Sequence, residues 1–281
     1  MNLRPAAAGL IILLPAALTA QTLRDFSTSR QLHGESRLTA RVDYGAGTLR
    51  LAPGAEQDLY RVSMSYDPER YVPLSEFDAG SGTVRLGIAS AGAGGFHIGA
   101  RRQLDQTAYV TLSPAVALDL ALQLGAAEAD LELGGLQLNT LRLGTGASRT
   151  TLRFSRPTVG HCEHAEITAG AADISVLALG NSRCRRIRFE GGVGKVLLDL
   201  SGAWTSGAQV NAHMAVGALT LRLPRDVGIR LSLDRFLSSF PTAGWTRQGN
   251  AYLSPGYARA TRRLDLALSS TLGGIDVEWV N

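Results

Sequence analysis

Residues 187–200 read IRFEGGVGKVLLDL. Apolar and polar side chains alternate on both sides of a glycine-bearing break. That is the period-two signature of strands with one buried face. The same pattern stands 22 residues earlier as AEITAGAADISVLAL (165–179) and 23 residues later as VNAHMAVGALTLRL (210–223). Two more copies precede these, LALQLGAAEADLELGGL (120–136) and LRLGTGASRTTLRF (141–154). The first strong aliphatic of each second run is Leu131, Leu152, Ile174, Val196 and Leu219, at steps of 21, 22, 22 and 23 residues. A unit this short cannot bury its own apolar face, so copies must stack and share a core. The pattern predicts an all-β fold, a parallel β-solenoid-like stack of two-strand repeats about 22 residues long.

Working outward, the division is a leader over 1–20, an N-terminal β region over 21–115 that is continuous with the stack, and five repeats over 116–223. An aromatic insertion or cap follows over 224–263, then a closing repeat over 264–281. In the N-terminal region, residues 21–41 are expected to begin loosely, and Val42–Leu51 reads as an early copy of the repeat. Leu59–Tyr66 and Thr83–Ile88 read as strands, and Tyr71–Gly82, with Pro73, as a connection. A short strand is expected within His97–Val110. Outward positions should pair between rungs, Asp173 beside Lys195 and Asp199 beside Arg222.

Arg4 followed by the uncharged stretch Ala6–Leu18 and the small residues up to Ala20 is the pattern of a secretory signal peptide. An uncleaved anchor is the alternative, and the short apolar run disfavours it. The expected location is therefore exported, periplasmic or extracellular, with no membrane-spanning segment once the leader is removed. Export places both cysteines in an oxidising compartment. Cys162 and Cys184 each lie 12 residues before an anchor, Ile174 and Val196. Adjacent strands are about 4.8 Å apart, within disulfide reach. Register thus predicts a Cys162–Cys184 bond between neighbouring rungs.

The net charge of +4 is mild for 281 residues and argues against a nucleic-acid partner. The cluster His161-Cys162-Glu163-His164 resembles a metal set, but alternation sends its two histidines to opposite faces. Gly191-Gly192-Val193-Gly194 lacks the lysine and helix of a phosphate loop. His33, His97 and His213 have no nucleophile motif around them, and no carboxylate pair stands out for glycoside hydrolysis. No catalytic residue, cofactor or metal site is expected. Arg142, His164 and Arg186 recur at 22-residue steps and could stack as a cationic stripe beside Arg188. The plain readings are a solvated face for that stripe and a cap or side flap for the aromatic insertion with Trp245, Tyr252 and Tyr257. An interaction surface formed by either, with Arg142, Arg186 and Arg188 on the stripe, is the functional alternative.

GGVGKVLLDLSG (191–202), LTLRLPRDVGIRL (219–231) and the late run from Ser238 through Gly256 to GGIDVEW (273–279) resemble the toastrack domains, including the C-terminal domain of LiaF-type proteins of bacterial cell-envelope stress responses. The resemblance covers about 116–281, and LYRVSMSYDPERYVP (59–73) is similar to the preceding part of longer members. It implies a β-solenoid-like stack and membrane-linked sensing, and it brings no catalytic residues. LiaF-type proteins carry membrane helices before the domain; this chain does not show them. The expected role is a non-enzymatic exported interaction or sensing module of the cell envelope with an envelope protein as partner. The alternatives are a secreted adhesin or polysaccharide binder, and a β-helix carbohydrate-active enzyme.

Overall fold

In a computed structural model of the chain, the described residues are 23–91, 106–205 and 207–281. The expected leader, and His97 with most of the stretch after it, lie outside them. The N-terminal region contributes β1 (Arg24–Gln31), β2 (Arg37–Pro53), β3 (Asp58–Tyr66), β4 (Tyr71–Asp78), β5 (Thr83–Ser90) and β6 (Thr107–Leu112). The repeats are β7 (Ala117–Glu132), β8 (Gln137–Thr145) with β9 (Arg149–Arg153), β10 (Cys162–Leu177), β11 (Cys184–Asp199) and β12 (Ala208–Pro224). Last come β13 (Gly228–Ser239), the short β14 (Thr246–Gln248) and β15 (Ala251–Leu253), and β16 (Arg263–Val280). All belong to one sheet.

The stack is parallel from β2 through β7, β8/β9, β10, β11 and β12 to β16. Two corrections follow. The unit was expected to be two strands with a break; in β7, β10, β11, β12 and β16 it is one long strand, bent at its small residues. The ladder runs through the bend, Ala172 beside Gly194, Gly217 and Gly273 in turn. Among the five repeats only β8 and β9 keep the two halves apart, as β5 and β6 do beside β2. Second, the anchors do not form one column. Leu131 pairs with Leu152, but Leu152 pairs with Val176, and Thr150 takes the place beside Ile174. The slip is two residues, absorbed by the connection between β9 and β10, so each side chain keeps its face. Thr150 is thereby buried in the core, hydrogen-bonded to Ser148 at 3.1 Å.

Two columns define the core. On the first limb it runs Val42–Leu122–Leu143–Ile167–Phe189–Ala212–Leu268. On the second limb it runs Leu51–Leu131–Leu152–Val176–Leu198–Leu221. All of these are buried. The return connections close the third side with Leu133, Phe154, Leu179, Leu200 and Trp204, also buried. Asn181 stitches successive returns: its Nδ2 donates to the Phe154 carbonyl and its Oδ1 accepts from the Ala203 amide, both at 2.9 Å.

Cys162 and Cys184 face each other on β10 and β11, Cα atoms 4.2 Å apart, and form the disulfide. Asp173 lies beside Lys195, and Asp199 beside Arg222. Arg222, however, donates to Glu278 on the following strand at 2.8 Å. Among the described residues no helix is long and apolar enough to cross a membrane.

At the N-terminal end the structure departs from expectation. Residues 24–31, expected to be loose, form β1, antiparallel to β3. Tyr71–Asp78, expected as a connection, is β4, antiparallel to β5 and, among the described residues, paired with no other strand. Pro73 is tolerated there because an outermost strand loses nothing when one amide hydrogen is missing. The β7–β8 pairing carries an extra residue, Asn139, between Leu118/Leu138 and Asp119/Thr140. Asp119 gathers this irregularity. Its carboxylate accepts from Asn139 Nδ2 and Thr140 Oγ1, each at 2.7 Å, and from Arg37 Nε of β2 at 2.6 Å. Partial burial pushes its pKa up, but the bonds from Thr140, Asn139 and Arg37 outweigh this and hold it below the ordinary value. A carboxylate depressed in the folded state contributes stability above its unfolded pKa and loses it as pH falls through the folded one. We expect Asp119→Asn to flatten the fall in melting temperature on acidification below the unfolded carboxylate pKa; thermal melts of both proteins across that window check this.

The C-terminal end reorders the chain. β13, inside the expected insertion, is itself part of the stack, and β16 lies between β12 and β13. The last repeat in sequence is therefore not the last in space. Leu264, Leu266 and Leu268 fit this central place because apolar residues face them from both neighbours.

Candidate outer-face binding site

The outward side chains of the first limb form parallel columns. The expected cationic stripe Arg142–His164–Arg186 does not exist as a column. His164 does neighbour Arg186, but Arg142 is in register with Glu166, which is in register with Arg188. The two-residue slip before β10 is the cause. The column thus alternates in sign, with Arg142 Nε 3.9 Å from Glu166 and Arg188 Nε donating to Glu190 at 2.9 Å. These are exposed pairs of little energetic weight.

Beyond Arg188 the same column shrinks to Asn211, Ala267 and Ser232. The loss of side-chain length opens a groove of about 520 Å³ across β11, β12, β16 and β13. The adjoining column, Glu190–His213–Ser269–Asp234, supplies its hydrogen-bonding wall, and Asn250 of the β14–β15 turn reaches its far side. His213 Nδ1 and Ser269 Oγ are 2.6 Å apart. A second hollow of about 560 Å³ opens nearer β8, lined by Gln123, Arg142, Gly144, Glu166 and Thr168.

The Ser269–His213 pair is the nearest approach to a nucleophile and base on this face. Both residues sit on strands paired on both sides. Their own amides belong to the ladders and do not make the paired donors that an oxyanion site needs. What the surface offers is mixed donors and acceptors of both charges on a rigid floor, which suits binding. Of the groove's lining, sequence reading singled out Arg188 but missed Asn211, His213, Asp234, Asn250 and Ser269; Arg186 lies outside it, beside Gln209. Three of those five lie on β13, on β16 or in the turn between β14 and β15, whose place beyond β12 has no signature in the repeat.

The aromatic residues of 224–263 are turned mainly toward one another. Phe240 is 6.0 Å from Trp245 and 5.9 Å from Tyr252 between ring centroids, and Trp245 is 5.4 Å from Trp279. Trp245 and Tyr252 are half-buried against the core, and Tyr257 lies under Arg263 at 5.0 Å. The exposed apolar side chains of this region are instead Phe236 and Leu237.

A family described as the N-terminal domain of toast_rack, DUF2154, matches residues 19–177. The matched stretch ends before the motifs at 191–279 that carry the sequence resemblance begin. No curated protein sequence matches the chain. Among solved structures, a candidate cell adhesion protein from Clostridium sporogenes is 15% identical with a TM-score of 0.48, over 92% of this chain and 100% of that one. A candidate adhesin from Bacteroides fragilis is 10% identical with a TM-score of 0.45, over 92% and 99% respectively.

Proposed function

Because the chain belongs to the toast_rack N-terminal domain family, we propose that it acts without catalysis, as an exported interaction module of the cell envelope whose outer first-limb face receives an extended envelope protein segment. The groove between Arg188 and Asp234 carries this reading, since it is open, mixes polar side chains with an apolar floor and is built on strands locked in register. The disulfide suits an oxidising compartment, and the charged apolar leader suits export. Gly144 and Ala267 mark the two hollows of one face, so a segment lying across the rungs would meet both.

Ala267 is exposed and small, so a larger side chain fills the groove without touching the core. We expect Ala267→Trp to abolish capture of the partner from envelope fractions while the melting temperature stays within about 2 °C of the native value, as surface changes usually do. Capture of a defined envelope protein by the native chain and not by the variant supports the proposal. Retention on glycan instead would move the reading to polysaccharide binding. Turnover of a cell-wall polymer that is lost on changing one carboxylate would overturn it.

A further inference from the structure

The positive charge of this chain is concentrated in one stretch. Residues 224–263 hold seven arginines and two aspartates, with no lysine or glutamate. The whole chain is only +4, so the rest of it is close to neutral. Elsewhere arginines commonly meet a carboxylate, as Arg37 meets Asp119, Arg61 meets Asp58, Arg153 meets Asp130 and Arg222 meets Glu278. In this stretch one does, Arg262 with Asp226 at 2.7 Å. Arg225, Arg230, Arg235, Arg247, Arg259 and Arg263 are exposed, and among the described residues none of them forms an ion pair. Three of these turn to neutral partners: Arg235 to the Ser238 carbonyl at 2.9 Å, Arg247 to the Gly249 carbonyl at 3.3 Å, and Arg263 to the Tyr257 ring at 5.0 Å. Asp265 lies in register with Arg230 without forming an ion pair with it.

The fold gathers these arginines at the C-terminal end of the stack. Arg230 and Arg235 lie on β13, and Arg247 lies on β14, the last strand of the sheet. Arg225 is in the connection that enters β13, Arg259 ends a short 3-10 turn (Tyr257–Arg259), and Arg263 opens β16. That turn is held against β13, because Gly228 donates its amide to the Arg262 carbonyl at 2.9 Å and leaves room for Ala260. The same end presents apolar side chains to solvent. Phe236 (76% exposed) and Leu237 (63%) directly follow Arg235. β15 covers β13 only at Arg230–Ser232, so over Leu233–Ser239 β13 has, among the described residues, no strand on its outer side.

We propose that the C-terminal end of the stack docks on an anionic membrane surface, with Arg225, Arg230, Arg247 and Arg259 facing lipid phosphates and Phe236 and Leu237 entering among the headgroups. Charge complementarity names the partner. Guanidinium forks match phosphate oxygens, and a surface of anionic lipids attracts each cation held near it. Apolar side chains beside such cations gain by entering the boundary between headgroups and acyl chains. A soluble polyanion would meet the arginines and leave Phe236 and Leu237 in water. The near-neutral remainder of the stack is not drawn to the lipid, so the protein stands on this end. The contact is peripheral, and it does not rest on the groove.

The test is co-sedimentation with vesicles of mixed phosphatidylglycerol and phosphatidylcholine, and with vesicles of phosphatidylcholine alone. The chain is used from Gln21 onward, because the apolar leader before it would bind lipid by itself. We expect binding to the anionic vesicles only, weakening as salt is raised. Arg225→Gln/Arg230→Gln/Arg259→Gln should weaken it about a hundredfold, at about fivefold for each arginine. The same loss of charge elsewhere, Arg24→Gln/Arg149→Gln/Lys195→Gln, should weaken it by less than about threefold, since charges beyond a Debye length are screened. Phe236→Ser/Leu237→Ser should weaken it by at least about tenfold. All the substituted side chains are exposed, so unchanged melting temperatures will show that the variants fold. No binding to anionic vesicles, equal binding to both kinds, or equal losses in the two triple variants would each overturn the proposal. Polyphosphate bound as tightly as the vesicles, with the apolar double variant behaving as native, would overturn it in favour of a soluble polyanion.

Discussion

Gly217→Val is expected to destabilise the fold by more than about 3 kcal/mol, combining strain at a left-handed backbone with overpacking. Gly217 has φ +138°, a conformation that β-branched residues avoid. Its neighbours in the ladder are Gly194, at φ +145°, and Gly273, at φ +136°. A Cβ at Gly217 would fall inside the contact distance of the Gly194 carbonyl oxygen, which is ladder backbone and cannot swing aside. The strands bend at this column, and the bend brings one backbone hard against the next. A valine must therefore either flatten the bend or push two rungs apart, and both disturb the apolar columns on each limb. The adjacent exposed Ala218 makes the control, since Ala218→Val is expected to change stability by less than about 0.5 kcal/mol. Denaturant unfolding of the two variants beside the native protein decides the matter. Near-equal midpoints would mean that the corner is soft and that backbone packing does not hold the rungs together.

The second large effect is expected from the disulfide. Replacing Cys162 and Cys184 together by alanine opens a loop of 22 residues, and loop-closure entropy puts the loss at about 3 kcal/mol. Both cysteines are fully buried at the start of β10 and β11, and Cys184 directly follows the return connection that holds Leu179 in the core. The alanines fit this space, so the loss should come through the unfolded chain and leave the native ladder intact. The expected signature is a lowered urea midpoint with unchanged far-ultraviolet circular dichroism. Reduction of the native protein should reproduce the shift, and it should have no effect on the double variant. An unaltered midpoint after reduction would show that the rungs hold this register without the bond.

The repeat was legible because a shared core demands the same alternation in every copy. Ile167 and Phe189, Ile174 and Val196, and the two cysteines all stand where a regular step puts them, and a slip of one residue would have turned each outward. Alternation reports parity only. It does not distinguish a step of 22 from one of 24, so the slip before β10 was invisible. With it went the cationic stripe, which needed Arg142 beside His164 and found Glu166 instead.

The amino-acid sequence alone determined the class of fold, the inward face of each strand, the disulfide partners and the small residues at the corner. Each is a local or periodic constraint, enforced by burial or by backbone sterics within one unit and its neighbour. Tertiary structure decided the continuity of the bent strands, the insertion of β16 between β12 and β13, and hence the groove with His213, Ser269 and Asp234. It also decided which edge of the stack stays open. Those features depend on which strand lies beside which at the end of the array. There, Leu266 packs equally well against any apolar neighbour, and only the geometry of the connecting chain selects among them.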